Sequence, residues 1–361
     1  MSSPIYLLYA SCLPVMGMTR SILCDLERQS YLQIPNDLYR ILTDHRGKSV
    51  AEIKAFYGNR YDATIEDYFA RLSNAEFVFA TDHPELFPVL DSSWDEPFEL
   101  TNAIIDIDNK STFELESIFY QLSSLHCKFI QIRFFKSAQI EEMGSIIDFL
   151  NSMRSNSIGL ELLVGYNELS TEADYLLLFK KYKRLNSLIV YGMPGGKVIK
   201  RIEHSRYLVF TPVDLSSEHH CGHISKELFS INIKTFTEAL NFNSCLNGKI
   251  SIDKRGEIKN CPSMTSSFGN IKDTKLSQVL LHPGYKKNWK ITKDQVHTCK
   301  SCEFRYICTD CRAYVQHPDG DGLSKPLKCG YDPQIGEWTD WSINPLNQAA
   351  YRHYFGEISL Q

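Results

Sequence analysis

Two pairs of cysteines near the end of the chain have the spacing of metal ligands. Cys299 and Cys302 form one C-x2-C pair, and Cys308 and Cys311 form a second pair after five intervening residues. A C-x2-C turn directs two sulfurs towards one ion or cluster and leaves backbone amides free to donate to sulfur. Four thiolates suit zinc and iron-sulfur clusters alike. The spacing therefore predicts a metal centre without choosing the metal.

Further cysteines surround this motif. Beyond residue 240 the chain is rich in turns and holds seven of its eleven cysteines: Cys245, Cys261, Cys299, Cys302, Cys308, Cys311 and Cys329. A predicted hairpin joins Cys245 to Cys261, with Gly256 five positions before the second cysteine. Such a region has too small a core to fold by hydrophobic burial alone, and metal binding can supply the missing free energy. Reduced thiols in the cytosol also favour metal over disulfides.

The composition narrows the class of protein. The chain has 361 residues, 43% of them hydrophobic, which suffices for a sizeable core and two or three domains. A net charge of -4 argues against a broad nucleic-acid surface or a polybasic membrane anchor. No segment reaches the roughly 18 apolar residues of a membrane span, and the N-terminus lacks the charged region of a signal peptide. We expect a cytoplasmic protein that binds neither nucleic acid nor membranes.

Residues 1–97 are predicted to form a small α+β domain of three strands followed by three helices. The strands are predicted at 5–10, 20–26 and 30–35, and the first helix begins at residue 36. Ser49 and Glu52 have the spacing of a capping box for the second helix. The predicted apolar helix faces are Val50, Ile53 and Phe56 or Tyr57 in the second helix, and Ile65, Tyr68, Phe69 and Leu72 in the third.

From residue 98 to 238 apolar strands alternate with amphipathic helices. Strands are predicted at 100–108, 128–135, 159–166, 187–192, 207–212 and 228–233, and helices at 112–122, 140–153 and 171–184. Strands that are apolar throughout indicate a parallel sheet covered by helices, open or partly closed into a barrel. The glycine-rich segment 191–200 lacks the spacing of a phosphate-binding loop and is predicted to be a βα turn.

The cysteine pattern resembles the SPASM domain, the C-terminal iron-sulfur module of many peptide-modifying radical SAM enzymes. That family places a cysteine, a spacer, a glycine, four residues and a second cysteine before C-x2-C-x5-C-x3-C and a last cysteine. This chain matches the pattern at Cys245, Gly256, Cys261, Cys299, Cys302, Cys308, Cys311 and Cys329, except that the second pair is one residue shorter.

The resemblance implies two [4Fe-4S] clusters whose ligands cross over. Cys299, Cys302, Cys308 and Cys329 would hold one cluster, and Cys245, Cys261 and Cys311 the other. Cys221 is a candidate for the missing fourth ligand of the second cluster. Three neighbouring histidines, which are typical of a solvated loop, are weaker candidates: His219, His220 and His223. Zinc remains the alternative metal.

The signature of radical chemistry is absent from the sequence. Radical SAM enzymes carry a C-x3-C-x2-C loop after the first barrel strand, but the loop after residue 108 contains no cysteine. Instead, Ser111 and Glu114 have the spacing of a capping box, and a helix face follows at Leu115, Ile118, Phe119 and Leu122. Cys12, Cys24 and Cys127 are isolated and do not replace the motif. The middle domain is therefore expected to keep the outline of a radical SAM partial (β/α) barrel without cleaving S-adenosylmethionine.

The N-terminal elements resemble a peptide recognition element, the winged-helix-like module that binds precursor leaders in ribosomal peptide maturation. Such modules add the leader as a strand to a sheet edge. The alternatives from the residues are a DNA-binding winged helix and a structural cap. Against DNA, the third helix offers one arginine and two acidic residues in ATIEDYFARLSN, so phosphate contact would be weak.

As a whole, the chain resembles the SPASM-domain maturation proteins of grasp-with-spasm gene systems, which act on a graspetide precursor with an ATP-grasp ligase. The implied domains are a leader-recognition domain at 1–97, a degenerate radical SAM-like α/β barrel at 98–238, a SPASM domain at 239–335 and a tail at 336–361. We expect a non-radical adaptor that binds the precursor leader and the ligase. The alternatives are an iron-sulfur redox enzyme that modifies the precursor itself and a zinc-stabilised regulatory protein.

Overall fold

The computed structural model describes residues 3–153, 159–203 and 206–356. The N-terminal elements are β1 (Ile5–Leu8), β2 (Cys12–Val15), β3 (Ser21–Asp25), β4 (Ser30–Ile34), α1 (Asn36–Asp44), α2 (Val50–Phe56), α3 (Asp62–Asn74) and β5 (Val78–Thr81). The middle elements are β6 (Asn102–Ile107), α4 (Leu115–Ser124), β7 (Phe129–Ser137), α5 (Ile140–Ser152), β8 (Gly159–Gly165), α6 (Glu172–Lys181), β9 (Leu185–Tyr191), β10 (Val198–Glu203) and β11 (Arg206–Thr211). The remaining elements are α7 (Ile233–Asn241), β12 (Lys249–Ile252), β13 (Ile258–Lys259), α8 (Leu276–Leu280), β14 (Tyr331–Asp332), β15 (Glu337–Trp338) and α9 (Pro345–Phe355).

These elements form two compact units, each assembled from separate stretches of chain. The first unit contains the described residues up to Trp94, those from Gly222 to Ser244, and those from Ile291 onward. The second contains 95–221 and 245–290. The end of the predicted tail, 357–361, lies outside the described residues. No helix in the described part of the chain is both long and apolar enough to cross a membrane.

The N-terminal part of the first unit contains two small sheets and three helices. Strands β2, β3 and β4 form an antiparallel sheet in that order, and β1 pairs with β5. The capping box of Ser49 and Glu52 is confirmed at the start of α2. Ile65, Phe69 and Leu72 of α3 are buried as predicted, whereas Phe56 is exposed. Strands β2 and β5 were not predicted, because their sequences, CLPV and VFAT, lack a clear period.

We expect acid to destabilise the N-terminal part through His45. This imidazole is buried against Phe56 and Tyr57, and burial followed by the charge of Lys48 lowers its pKa. The unfolded chain therefore binds a proton more readily than the folded chain as the pH falls below about 6.5. Wild-type protein should lose a few degrees more in its unfolding midpoint between pH 7.5 and pH 5.5 than the variant His45→Asn. Equal losses in a calorimetric comparison would contradict this role.

The second unit is built on an eight-stranded, mostly parallel sheet. Its strand order is β10-β11-β9-β8-β7-β6-β12-β13, and β10 and β13 pair antiparallel to their neighbours. The strands β6 to β9 follow one another in the sheet. The connecting helices α4, α5 and α6 pack against strand residues such as Ile105, Ile132 and Leu162 in one core. This bears out the predicted parallel sheet covered by helices.

The strand predicted at 228–233 is wrong. Residues 226–228 form a short 3-10 turn, and α7 begins at Ile233. The side chain of Asn232 accepts a hydrogen bond from the Thr235 amide at 2.9 Å and so caps this helix. Phe229 and Ile231 pack against a neighbouring apolar cluster, which explains why the segment looks like a strand in sequence.

Two local motifs were also misread. Ser111 does not cap α4, which begins without a side-chain cap after Glu114. The Ser111 hydroxyl instead donates to the Lys254 carbonyl at 2.8 Å. The predicted βα turn at 191–200 is wrong, since Gly192 and Gly195, both with positive φ, lead from β9 into β10. Ser111 was misread because its partner is distant in the chain, and the turn was misread because β10 pairs with β11 as an added strand.

Candidate metal centres

Four of the predicted ligands come together in the first unit. Cys299 opens a 3-10 turn, and the Cys302 amide closes it by donating to the Cys299 carbonyl at 2.9 Å. The Cys308 amide donates to Phe304, and Cys329 lies in an isolated bridge with Ile224. The Cys308 sulfur interacts electrostatically with the sulfurs of Cys299 and Cys302. The Cys299 sulfur also interacts with that of Cys329. We call these four residues the Cys299 group.

The Cys299 group lies against an apolar wall. Phe304, Ile307 and Tyr331 are fully buried, and three of the cysteines pack against the cluster they form. Burial raises the pKa of Cys299, Cys302 and Cys329 above the ordinary thiol value. These thiols therefore resist ionisation unless a metal or a nearby cation stabilises the thiolate.

Two buried lysines provide positive charge beside the Cys299 group. Lys293 is 4% exposed and donates to the carbonyl of Cys308. Burial opposes its charge, but Cys308, Asp310 and Cys299 outweigh that effect and raise its pKa. The Lys325 ammonium donates to the Tyr331 carbonyl at 2.5 Å and partly offsets the effect of burial on Cys329. Neither lysine was identified from the sequence.

A second set of cysteines lies in the second unit. Cys245 precedes β12 and Cys261 follows β13, so both lie at the open end of one hairpin, as predicted. Lys249 donates to the Cys245 sulfur at 3.4 Å. Burial and then the neighbouring Cys245 sulfur raise the pKa of Cys261 to about 11. The Cys221 sulfur raises this pKa as well. We call Cys221, Cys245 and Cys261 the Cys245 group.

A buried ion pair also belongs to this site, and sequence reasoning missed it. Asp106 on β6 and Arg133 on β7 are partners in the sheet register, and each is less than 5% exposed. The guanidinium donates to both carboxylate oxygens, at 2.6 and 2.7 Å, and to the Cys221 sulfur at 2.6 Å. The available signal was an aspartate near the end of β6, which is otherwise mostly apolar, and an arginine flanked by apolar residues in the middle of β7.

The remaining cysteines are placed elsewhere. Cys311 belongs to the first unit and lies in an apolar cluster with Tyr314 and Leu327. Its sulfur lies against Gly222, where an added Cβ would approach within 2.9 Å. Three cysteines are buried and have pKa values raised by burial to about 12, in agreement with structural thiols: Cys12, Cys24 and Cys127.

The donor set of both groups fits an iron-sulfur cluster. Each group offers half-buried thiols with a lysine or arginine nearby, which is the usual outer environment of cluster ligands. Among the described residues, no three histidine, cysteine or acidic side chains are arranged to hold a single metal ion. The exposed residues His219, His220 and His223 lie in the turn around Cys221.

The polar face of the large sheet carries two cavities. One, of about 190 Å³, is lined by Arg133, Cys221 and Glu161 among others. The other, of about 300 Å³, is lined in part by Asn102 and Lys249. Between them, Gln131 donates to Glu161 at 3.1 Å. The cysteine group of the second unit thus borders space that a ligand can enter.

Comparison with known proteins finds two relatives that match a short part of the chain. The chain is 23% identical over 92 residues to the AdoMet-dependent heme synthase of Nitratidesulfovibrio vulgaris, which is 25% of each protein. It is 23% identical over 83 residues to the enzyme of the same name from Oleidesulfovibrio alaskensis, 23% of this chain and 21% of that protein. The matches span about a quarter or less of these relatives. No protein-family profile matches the chain.

Two solved structures align with most of the chain, but at lower sequence identity. Streptococcus suis SuiB bound to S-adenosylmethionine aligns with 89% of this chain and 99% of its own, at 10% identity and a TM-score of 0.39. SuiB bound to its precursor peptide SuiA covers the same shares at 10% identity, with a TM-score of 0.29. At these scores the alignments do not define the fold of this chain.

Proposed function

We propose that this protein binds the leader of a ribosomally made precursor peptide and assists its maturation as a non-radical adaptor. An ATP-grasp ligase is the proposed partner that forms the new bonds. The observation that carries this proposal is an exposed edge strand, β4, beside the three N-terminal helices. The SPASM-like cysteine pattern supports it, since that pattern accompanies peptide-modifying proteins.

Strand β4 has the features of a peptide-docking edge. It is the last strand of the β2-β3-β4 sheet, and Ser30, Leu32 and Gln33 are exposed. Leu32 pairs with Leu23, which is buried in the same core as helices α1 to α3. Leu32 is therefore on the helix side of the strand. A leader that added a further strand here would gain backbone hydrogen bonds and a place for one apolar side chain.

The two cysteine groups would hold iron-sulfur clusters in this proposal. Cys299, Cys302, Cys308 and Cys329 would hold one cluster, while Cys245 and Cys261 would contribute to the other. When bound, such clusters supply cross-links that stabilise a small loop-rich region, and they can store electrons. Lys293 and Lys249 would offset the negative charge of the bound thiolates.

The loop after β6 is the reason for proposing an adaptor. Residues 108–114 contain no cysteine. Asp108 accepts from the Lys110 amide at 2.8 Å, and Ser111 ties the loop to the hairpin through the Lys254 carbonyl. This loop therefore contributes fixed hydrogen bonds in place of thiolates at the end of the first strand of the sheet.

The edge-strand proposal predicts a loss of leader affinity in Leu32→Asp. Removing an apolar contact and adding a charge should weaken binding of a labelled leader by about 10- to 100-fold, which corresponds to a buried leucine. Fluorescence polarisation measures the affinity. Leu86→Asp is the matched control, because Leu86 is 68% exposed in the same unit. Equal affinities for wild type and Leu32→Asp would contradict docking at this strand.

A redox enzyme is the second candidate function. The cavities beside Arg133 and Cys221 favour it, because they give a small part of a substrate access to the second cysteine group. Incubating the precursor anaerobically with this protein and a reductant, without the ligase, distinguishes the two functions. A change in precursor mass would support the enzyme, and an unchanged mass with tight leader binding would support the adaptor.

A further inference from the structure

The turn that carries Cys221 is fixed against the hairpin of the second unit. The Cys221 amide donates to the Glu218 carbonyl at 3.1 Å. The same carbonyl accepts from the Ser263 hydroxyl at 3.5 Å, two residues beyond Cys261. The Glu218 carboxylate pairs with Lys254 at 3.2 Å, in the loop of the hairpin. Cys221 is thus held beside Cys261 by contacts on both sides of the hairpin.

The open end of this hairpin brings the other two thiols together. Ser251 pairs with Lys259, so the register continued by two residues places Cys261 opposite Lys249. Asn260 donates to the carbonyls of Leu246 and Lys249, at 3.0 and 2.9 Å, and ties the two chain ends. The Lys249 ammonium interacts with all three sulfurs of the Cys245 group.

Arg133 directs one of its donors to the Cys221 sulfur. Two of its nitrogens are occupied by Asp106, which fixes the plane of the guanidinium, and a third donates to sulfur. A guanidinium stays charged at all accessible pH values, so it places a positive charge and a hydrogen-bond donor directly at the Cys221 sulfur. The Arg133 guanidinium also interacts electrostatically with the Cys261 sulfur.

We propose that Cys221 ligates the same iron-sulfur cluster as Cys245 and Cys261, and that Arg133, fixed by Asp106, is a positioning residue that hydrogen-bonds the Cys221 sulfur. Cys221 lies outside the SPASM-like spacing, 24 residues before Cys245. The inference deepens the proposed function, because it rests on the clusters included there. A hydrogen bond and a positive charge at a ligand sulfur stabilise the reduced cluster, so Arg133 raises the reduction potential.

Iron and sulfide analysis of the full chain, purified anaerobically and reconstituted, tests the ligand. Wild-type protein should contain iron for two clusters, and Cys221→Ser should lose up to the iron of one. Cys127→Ser is the matched control, since Cys127 is a buried thiol in the same unit but apart from the group. Equal iron in wild type and Cys221→Ser, with unchanged electron paramagnetic resonance of the reduced clusters, would overturn the assignment. Iron lost from His220→Ala but not from Cys221→Ser would also overturn it.

The role of Arg133 must be tested by a measurement that loss of a purely structural residue would not change, and the reduction potential is such a measurement. Arg133→Gln should keep the iron but lower the reduction potential of one cluster in a spectroscopic titration, and Arg133→Lys should restore part of the shift. An unchanged potential in Arg133→Gln at full iron content would overturn the role. Should Arg133→Gln not fold, the double variant Asp106→Asn/Arg133→Gln replaces it, because it leaves no charge buried, and an unchanged potential at full iron content there would overturn the role. Leader affinity, measured on the same samples, reports separately on the proposed function.

Discussion

Replacing Arg133 with methionine is expected to lower the free energy of unfolding of the second unit by about 3–5 kcal/mol. The substitution leaves Asp106, which is 1% exposed, as an uncompensated charge between two central strands. It also removes the donor to the Cys221 sulfur. Breaking a buried pair costs more than the pair contributes, because the remaining charge stays out of water. Denaturant unfolding followed by circular dichroism measures the loss.

The loss should depend on pH in a direction that identifies Asp106. Burial already raises the pKa of Asp106, and Arg133 opposes that effect. Without the arginine, the folded-state pKa rises further above the unfolded value of about 3.9. The folded variant then binds a proton that the unfolded chain releases, so its stability falls as the pH rises between the two values. We therefore expect a larger destabilisation at pH 8 than at pH 5.

Two further variants separate the ion pair from general effects on the sheet. Adding Asp106→Asn to Arg133→Met should recover much of the lost stability, because no charge remains buried. Arg184→Met is the control in the same unit, since Arg184 is half-buried and burial lowers its pKa. A double variant as unstable as Arg133→Met alone would contradict the role assigned to the pair.

Sequence reasoning identified the thiols but not the groups that surround them. The C-x2-C spacing of Cys299 and Cys302 is local, and a short turn satisfies it wherever the segment lies. Arg133 and Cys221 are 88 positions apart, and their contact depends on the register of β6 against β7 and on the turn after β11. Such contacts follow from packing, and no pattern within a single segment encodes them.

The misread elements also show that a local sequence pattern can be overridden by a contact with a distant residue. Ser111 has the right spacing for a capping box, but its hydroxyl bonds to Lys254, a residue 143 positions away. Ser49 and Glu52 have the same spacing and do form the box, because the Ser49 hydroxyl bonds to the amide and carboxylate of Glu52 and not to a distant carbonyl. Local patterns were reliable where the tertiary structure offered no alternative partner.

Lys293→Met is expected to weaken metal retention by the Cys299 group by about 10- to 100-fold, the usual effect of losing an outer partner of metal ligands. The lysine donates to the Cys308 carbonyl, and its charge lies near the sulfurs of Cys308 and Cys299. Methionine has a similar length but carries no charge. The bound thiolates would then face an apolar wall of Phe304 and Tyr331 with less positive charge nearby. Competition with a chelator, followed by absorbance of the bound metal, measures the change.

Lys300→Met is the matched control for this experiment. Lys300 lies between Cys299 and Cys302 in sequence, but its side chain is exposed, so water screens its charge. The same substitution there should leave metal retention within about twofold of wild type, since exposed charge pairs contribute about 0–1 kcal/mol at most. Equal losses in the two variants would mean that overall charge, and not a buried ammonium beside the thiols, governs retention. If only Lys293→Met loses metal, the cation must act from a buried position beside the apolar wall. The charge of the thiolates is least screened there.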